Sequence, residues 1–245
     1  MGAYRAGGIN LTRGKPDGVL AATVLFVFLN LWSPARIVFV RHGETEANAT
    51  GRYSSRTIDT FSERGAREVA ALTARLDAMR FDAIVVSPSP RALKTIAPYL
   101  RKHGLKAEIW PELYECCDAH SRKIKGYTSP NVRYGATIRV PADLAPCFIL
   151  DTGDDRLILA PSYDDGLRQI RLAGQRLRRE FGGTGKTVLV VGHSLNGGRL
   201  IEDLEGKPLE GRVRPDNAKP IPLDERPDGR FGPAVRAELG PRAGF

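Results

Sequence analysis

Ile37-Val38-Phe39-Val40-Arg41-His42-Gly43-Glu44-Thr45 sets four apolar residues directly against an arginine, a histidine and a glycine. A short unbroken apolar run bounded by polar residues reads as a buried strand. The polar residues then stand where that strand leaves its sheet. Outward from here the pattern alternates. Residues 62 to 79 carry Val69, Ala70, Leu72, Leu76 and Met79 at helical spacing, opened by Ser62 and Glu63. Residues 81 to 86 read as a second strand, 90 to 101 as a second helix stopped by Gly104, and 106 to 110 as a third strand. Residues 116 to 160 have no clean period and several Pro, Gly and Asp residues, which predicts an irregular insertion with room for one hairpin. A helix over 165 to 181, a strand over 187 to 191, a short helix over 200 to 204 and a hairpin around Pro227-Asp228-Gly229 complete the pattern.

Strands alternating with helices predict an α/β fold: a doubly wound, mostly parallel sheet with helices on both faces, in one domain over residues 36 to 240. In such sheets ligands gather at the carboxyl ends of the strands. Arg41-His42-Gly43, residues 87 to 91 and Gly192-His193-Ser194 each follow a predicted strand, so they converge on one rim. Gly182-Gly183-Thr184-Gly185-Lys186-Thr187 looks like a nucleotide loop but leads into a strand instead of a helix, and reads as a turn.

Composition narrows the classes. With 245 residues, 42% hydrophobic and 27% charged, the chain is neither disordered nor fibrous and can bury a core without metal or disulfide staples. Cys116, Cys117 and Cys147 form no C-x-x-C spacing, which argues against a disulfide framework and a zinc site. Lys and Arg outnumber Asp and Glu by 37 to 28, so the net charge of +9 favours anionic partners. No RNP-like or zinc-finger pattern is present, and no aromatic residues interleave a basic stripe, so nucleic acid is not the expected partner. Residues 19 to 32 form an uncharged apolar run, as a helix about 21 Å long against a hydrocarbon core of roughly 30 Å. Residues 1 to 35 therefore read as an apolar extension, a possible signal segment or a mis-called start, with no stable membrane anchor expected. Pro16, Asp17 and Gly18 suit a signal peptide poorly, which favours a cytoplasmic protein over one exported by a cleaved signal.

Arg41-His42-Gly43-Glu44-Thr45 with Asn48 resembles the signature of the histidine phosphatase superfamily, which includes cofactor-dependent phosphoglycerate mutase and many phosphomonoesterases. Ser87-Pro88-Ser89-Pro90-Arg91-Ala92 with Thr95 is similar to its second motif, Leu113-Tyr114-Glu115 to its Leu-x-Glu, and Val191-Gly192-His193-Ser194 to its second-histidine motif. Phe61-Ser62-Glu63-Arg64-Gly65 occupies the place of the helix-opening segment. The resemblance implies a phosphomonoester hydrolase that needs no metal or other cofactor. His42 would be the nucleophile that forms a phosphohistidine, Arg41, Arg91 and His193 would hold the phosphate, and Glu115 would be general acid and then base. Asn48, Arg52 and Ser54 would meet substrate, a phosphorylated small molecule or phosphoprotein.

The residues make chemical sense without the family name. Phosphoryl transfer needs an in-line nucleophile and positive groups around the equatorial oxygens. Arginines clamp phosphate by bidentate bonds, and like-charge repulsion from Arg41 and Arg91 keeps an imidazole nitrogen unprotonated. Two other readings stay open. Phosphoglycerate mutases follow the acid with Arg-x-Tyr-Gly, whereas Glu115 is followed by Cys116-Cys117-Asp118-Ala119-His120, which favours hydrolysis over mutase-type transfer. A pseudoenzyme that binds phosphate or phosphohistidine without turnover would have no need of Glu115. Arg122, Lys123, Lys125 and Arg133 offer a second anionic contact from the insertion, against the plainer reading of exposed loop charges.

Overall fold

The computed structural model describes residues 32–117, 135–151, 153, 155–157, 160 and 162–233. The insertion cations Arg122, Lys123, Lys125 and Arg133, and most of the apolar run over 19 to 32, lie outside the described residues. The chain divides into residues 1–33 and 34–245, and the elements of the fold lie in the second.

Its elements, in chain order, are β1 (Arg36–Arg41), α1 (Glu46–Thr50), α2 (Glu63–Leu76), β2 (Ala83–Val86), α3 (Pro90–His103) and β3 (Ala107–Ile109). There follow β4 (Phe148–Ile149), α4 (Tyr163–Phe181), β5 (Thr187–Gly192), α5 (Leu195–Leu204), β6 (Ile221–Glu225) and β7 (Phe231–Pro233). Seven strands form one sheet in the order β4-β3-β2-β5-β1-β6-β7. The pairs from β4 to β1 are parallel, and β6 and β7 close the far edge antiparallel, as the hairpin around Pro227 requires.

The alternation within β1 distributes the core. Val38 and Val40 pack with Leu72 and Leu76 of α2 and Leu93 and Ile96 of α3. Ile37 and Phe39 face the other way, onto Ile170 and Leu177 of α4 and Leu200 and Leu204 of α5. Both faces of the central strand are thus dry, which is why its sequence is continuously apolar. Leu189 and Val191 of β5 join the first cluster, Val188 and Val190 the second. The sheet is mostly parallel and covered on both sides, as expected.

Helix ends follow local chemistry. Ser62 caps α2 by accepting the Gly65 N–H at 3.0 Å, and Ser89 with Pro90 opens α3. Gly104 stops α3 in the left-handed conformation at φ 62°. Within the described part of the insertion β4 adds parallel to β3, and Thr137 and Arg156 form an antiparallel bridge. A two-residue strand gives too short a run for any period to register. α5 begins at Leu195, five residues before the expected start, because Gly197 and Gly198 hide its helical character. These glycines instead let it approach the sheet: a Cβ on Gly197 would overlap the Phe39 ring, and one on Gly198 the Val213 carbonyl.

Candidate active site

The carboxyl ends of β1, β2 and β5 deliver His42, Ser87 and His193 to one buried point. The imidazoles of His42 and His193 stand 5.3 Å apart, and Arg91, from the first turn of α3, joins them. Its Nε donates to His42 Nε2 at 3.3 Å, and an Nη donates to His193 Nδ1 at 3.2 Å. A guanidinium has donors only, so both nitrogens must present lone pairs. The remaining ring protons are thereby assigned. His42 Nδ1–H donates to the Gly43 carbonyl at 2.8 Å, and His193 Nε2–H donates to Ser87 Oγ at 2.7 Å.

Both imidazoles are held well below the ordinary histidine pKa, first by burial and next by the charge of Arg91. Arg41 contributes least to the lowering at His42, so the expected repulsion operates but ranks behind desolvation. Burial also lowers Arg41, and the negative charge of Glu115 partly offsets this. One Nη of Arg41 donates to the Pro215 carbonyl at 3.2 Å, while its buried Nε has no hydrogen-bond partner among the described residues.

Glu115 sits at the amino end of α5, where its carboxylate accepts the Asn196 N–H at 2.8 Å and the Leu195 N–H at 3.3 Å. Ser194, the residue in the cap position, makes no side-chain cap bond, so Glu115 serves that end of the helix from a distant segment. Its pKa is nevertheless raised, because burial outweighs those bonds and the charges of Arg91 and Arg41. A carboxyl that is buried, cation-flanked and still raised can hold a proton and can also give it up.

Three residues brace this cluster, of which sequence reasoning missed Asp59 and Asn217 and had Thr95 only as a member of a motif. Asp59 pairs with Arg91 at 3.2 Å and also accepts its backbone N–H. Thr95 Oγ1 accepts the Gly43 N–H at 3.0 Å and donates to the Arg91 carbonyl at 2.7 Å, tying α3 to the histidine loop. Asn217 donates to the His42 carbonyl at 2.7 Å. No local pattern marks Asp59 or Asn217, because each acts across the fold.

The three expected substrate residues lie farther out. Asn48 Oδ1 accepts the Thr45 N–H in the capping box of α1, leaving the amide nitrogen as its donor group. Arg52 and Ser54 are exposed, and the Ser54 hydroxyl bonds Thr57. Among the described residues, none of these three side chains is hydrogen bonded to the His42, Arg91, His193 cluster. No group of three or more His, Cys, Asp or Glu among the described residues is arranged to hold a metal ion. A cavity of about 400 Å³ adjoins the cluster, lined among others by Asp59, Pro90, Tyr114, Ile138 and Arg139.

Known proteins resemble this chain in sequence and in fold. A bifunctional protein of Mycobacterium tuberculosis is 32% identical over 166 residues, which cover 66% of this chain and 42% of that protein. The adenosylcobalamin/alpha-ribazole phosphatase of Escherichia coli is 35% identical over 80 residues, 33% of this chain and 39% of that one. The chain thus spans less than half the length of these curated relatives. Among solved structures, the alpha-ribazole phosphatase of Shigella flexneri has a TM-score of 0.56 at 22% identity, covering 81% of this chain and 94% of that chain. A mycobacterial glucosyl-3-phosphoglycerate phosphatase, solved with VO3, has a TM-score of 0.55 at 19% identity, covering 82% and 97%. These two likenesses establish the fold. The family model of the histidine phosphatase superfamily, branch 1, matches residues 37–142, the span that runs from β1 through the His42 loop and Arg91 to Glu115 and beyond. Over that span the chain is similar to the members of that superfamily.

Proposed function

We propose that the protein hydrolyses phosphomonoesters through a phosphohistidine on His42. The observation that carries the reading is the tautomer of His42: its Nδ1–H is anchored on the Gly43 carbonyl, and its Nε2 lone pair points at Arg91. A phosphoryl group entering between the two would take over the Arg91 donors while exposing phosphorus to Nε2. Arg41, Arg91 and His193 bind the equatorial oxygens, the unpartnered Nε of Arg41 supplying a further donor. His193 can donate to a phosphate oxygen once its ring exchanges the Ser87 bond for that contact.

Nε2 attacks phosphorus in line, and the P–O bond to the leaving group breaks as Glu115 gives that oxygen its proton. The carboxylate left behind then takes a proton from water, whose oxygen attacks phosphorus and returns His42 to its neutral form. Asn48 supplies a neutral donor, and Arg52 and Ser54 meet the substrate from the first loop. Three of the proteins above are named as phosphatases of small molecules, which supports a phosphorylated small molecule as substrate, with a phosphoprotein as the other class to include. Glu115 favours turnover over mere phosphate binding, since a pocket that only binds an anion gains nothing from a carboxyl whose pKa is raised.

Rapid-quench labelling of the wild type and His42→Ala with a panel of phosphorylated substrates tests this. An acid-labile, alkali-stable adduct on wild type alone, decaying to free phosphate, is the expected result, with hydrolysis by the variant at least roughly 10³-fold slower. Unchanged hydrolysis in His42→Ala would overturn the mechanism.

A further inference from the structure

Directly after Glu115 the chain places two cysteines, Cys116 and Cys117, whose sulfurs touch at 2.8 Å. Both side chains are buried in the core under α4, and neither is used by the chemistry above. The backbone at Cys117 is left-handed, at φ 67°, a conformation that is uncommon for any residue but glycine, asparagine and aspartate. The neighbouring helix makes room for the pair: a Cβ added at Gly166, in the first turn of α4, would overlap the Cys117 sulfur and crowd that of Cys116. A glycine inside a helix costs about 1 kcal/mol relative to alanine, so this clearance has a price that the packing of the two sulfurs explains. The Cys116 N–H also donates to Glu115 Oε1 at 3.2 Å, so the peptide that carries the pair holds one end of the proposed acid.

We propose that Cys116 and Cys117 are a site of reversible oxidation to a disulfide between adjacent residues, formed by a hydroperoxide, and that its closure displaces Glu115. One sulfur attacks the distal peroxide oxygen, the O–O bond breaks, and an alcohol or water leaves with a proton, giving a sulfenic acid. The second sulfur then attacks the first, the S–O bond breaks, and water leaves. Two thiols and one peroxide yield one disulfide, one water and one alcohol or second water, with two electrons passing from sulfur to oxygen. Burial and the adjoining Cys117 keep the Cys116 thiol protonated, so the first step is slow. The second is fast, because the partner sulfur is already in contact.

The product is reversible for a geometric reason. Consecutive Cα atoms lie about 3.8 Å apart, below the roughly 4.4 Å at which disulfides begin to be unstrained, so the bond is readily reduced. That suits a labile, regulatory bond better than a structural one. Its effect on turnover rests on the proposed role of Glu115, whereas the bond itself does not.

Peroxide treatment followed by thiol alkylation and peptide mapping separates the two. A loss of two hydrogens confined to the peptide that carries Cys116 and Cys117, reversed by dithiothreitol, is the expected result, with turnover falling at least about fivefold and recovering on reduction. Cys117→Ala should retain activity and lose the sensitivity, and Gly166→Ala should slow ring closure. Both cysteines remaining alkylatable after exposure, irreversible sulfinic acid on either, or oxidation confined to Cys147 would overturn the site. A mapped disulfide with unaltered turnover would overturn the link to Glu115 alone.

Discussion

At the scale of single residues, the cluster is organised by Arg91. One guanidinium fixes the tautomers of two imidazoles and is itself held by Asp59, so the lone pair on Nε2 of His42, the proposed nucleophile, is aimed before any ligand arrives. Removing the charge of Asp59 loosens that arrangement without touching a reacting atom. Asp59→Asn keeps an acceptor for the Arg91 backbone, and kcat/KM should fall roughly tenfold, with weaker binding of vanadate as the accompanying sign. An unchanged vanadate affinity would mean that Arg91 is held by the histidines alone. Glu115 invites the opposite expectation. Glu115→Gln retains an oxygen for the Asn196 N–H, so vanadate should still bind within a few-fold, while turnover drops by roughly 10² to 10⁴. Loss of vanadate binding would place the acid elsewhere.

At the scale of elements, the site depends on how closely α2 and α3 approach the loop after β1. Gly65 sits so near the Glu44 backbone that a Cβ there would overlap the Glu44 carbonyl, and Glu44 lies two residues from His42. Backbone cannot yield as a flexible side chain can. Gly65→Ala should therefore cost about 2 kcal/mol or more in urea unfolding and reduce turnover as well. Full stability in that variant would show that α2 can slide away freely. The same closeness explains what was legible in the sequence. Three of the four motifs abut a strand end, and a continuously apolar β1 announces burial on both faces, so the sheet could be read from periodicity, and the members of the cluster from their position together with the family resemblance. Asp59, Thr95 and Asn217 differ. Thr95 was visible as part of a motif, but its role as a tie between Gly43 and Arg91 exists only when α3 is packed. Asp59 and Asn217 lie in irregular segments 32 and 175 residues from their partners, and such pairing leaves no local trace. β4 escaped for lack of length, and α5 was shortened because Gly197 and Gly198 serve packing against Phe39 and Val213 at the expense of helix propensity.

At the scale of the whole molecule, the buried site makes folding sensitive to pH. His42 and His193 are neutral in the folded protein well below the pH at which free histidine gains its proton. Below about pH 6.5 the unfolded chain therefore binds two protons that the folded protein refuses, and stability must fall as pH falls through that window. Each group contributes a slope of at most about 1.4 kcal/mol per pH unit, so the pair gives at most about 2.7 until the depressed folded values are reached. Glu115 acts with the opposite sign. Its raised pKa means that the folded protein gains a proton before the unfolded chain does, which adds stability as pH falls from that raised value toward about 4.3. The exposed carboxylates of Asp77, Asp165 and Asp216 have lowered pKa values, so their contribution is lost only below the ordinary carboxylate range. The histidine pair, offset in part by Glu115, thus governs the upper part of the acid limb. Urea unfolding measured at steps between about pH 8 and pH 5 should show a flat region, then a decline that begins near pH 6.5. His42→Ala should lower the slope by about half, since only His193 then resists protonation. A decline of equal steepness in that variant would mean that the acid sensitivity arises outside the site, from the protein's net positive charge of +9 growing further as carboxylates are neutralised.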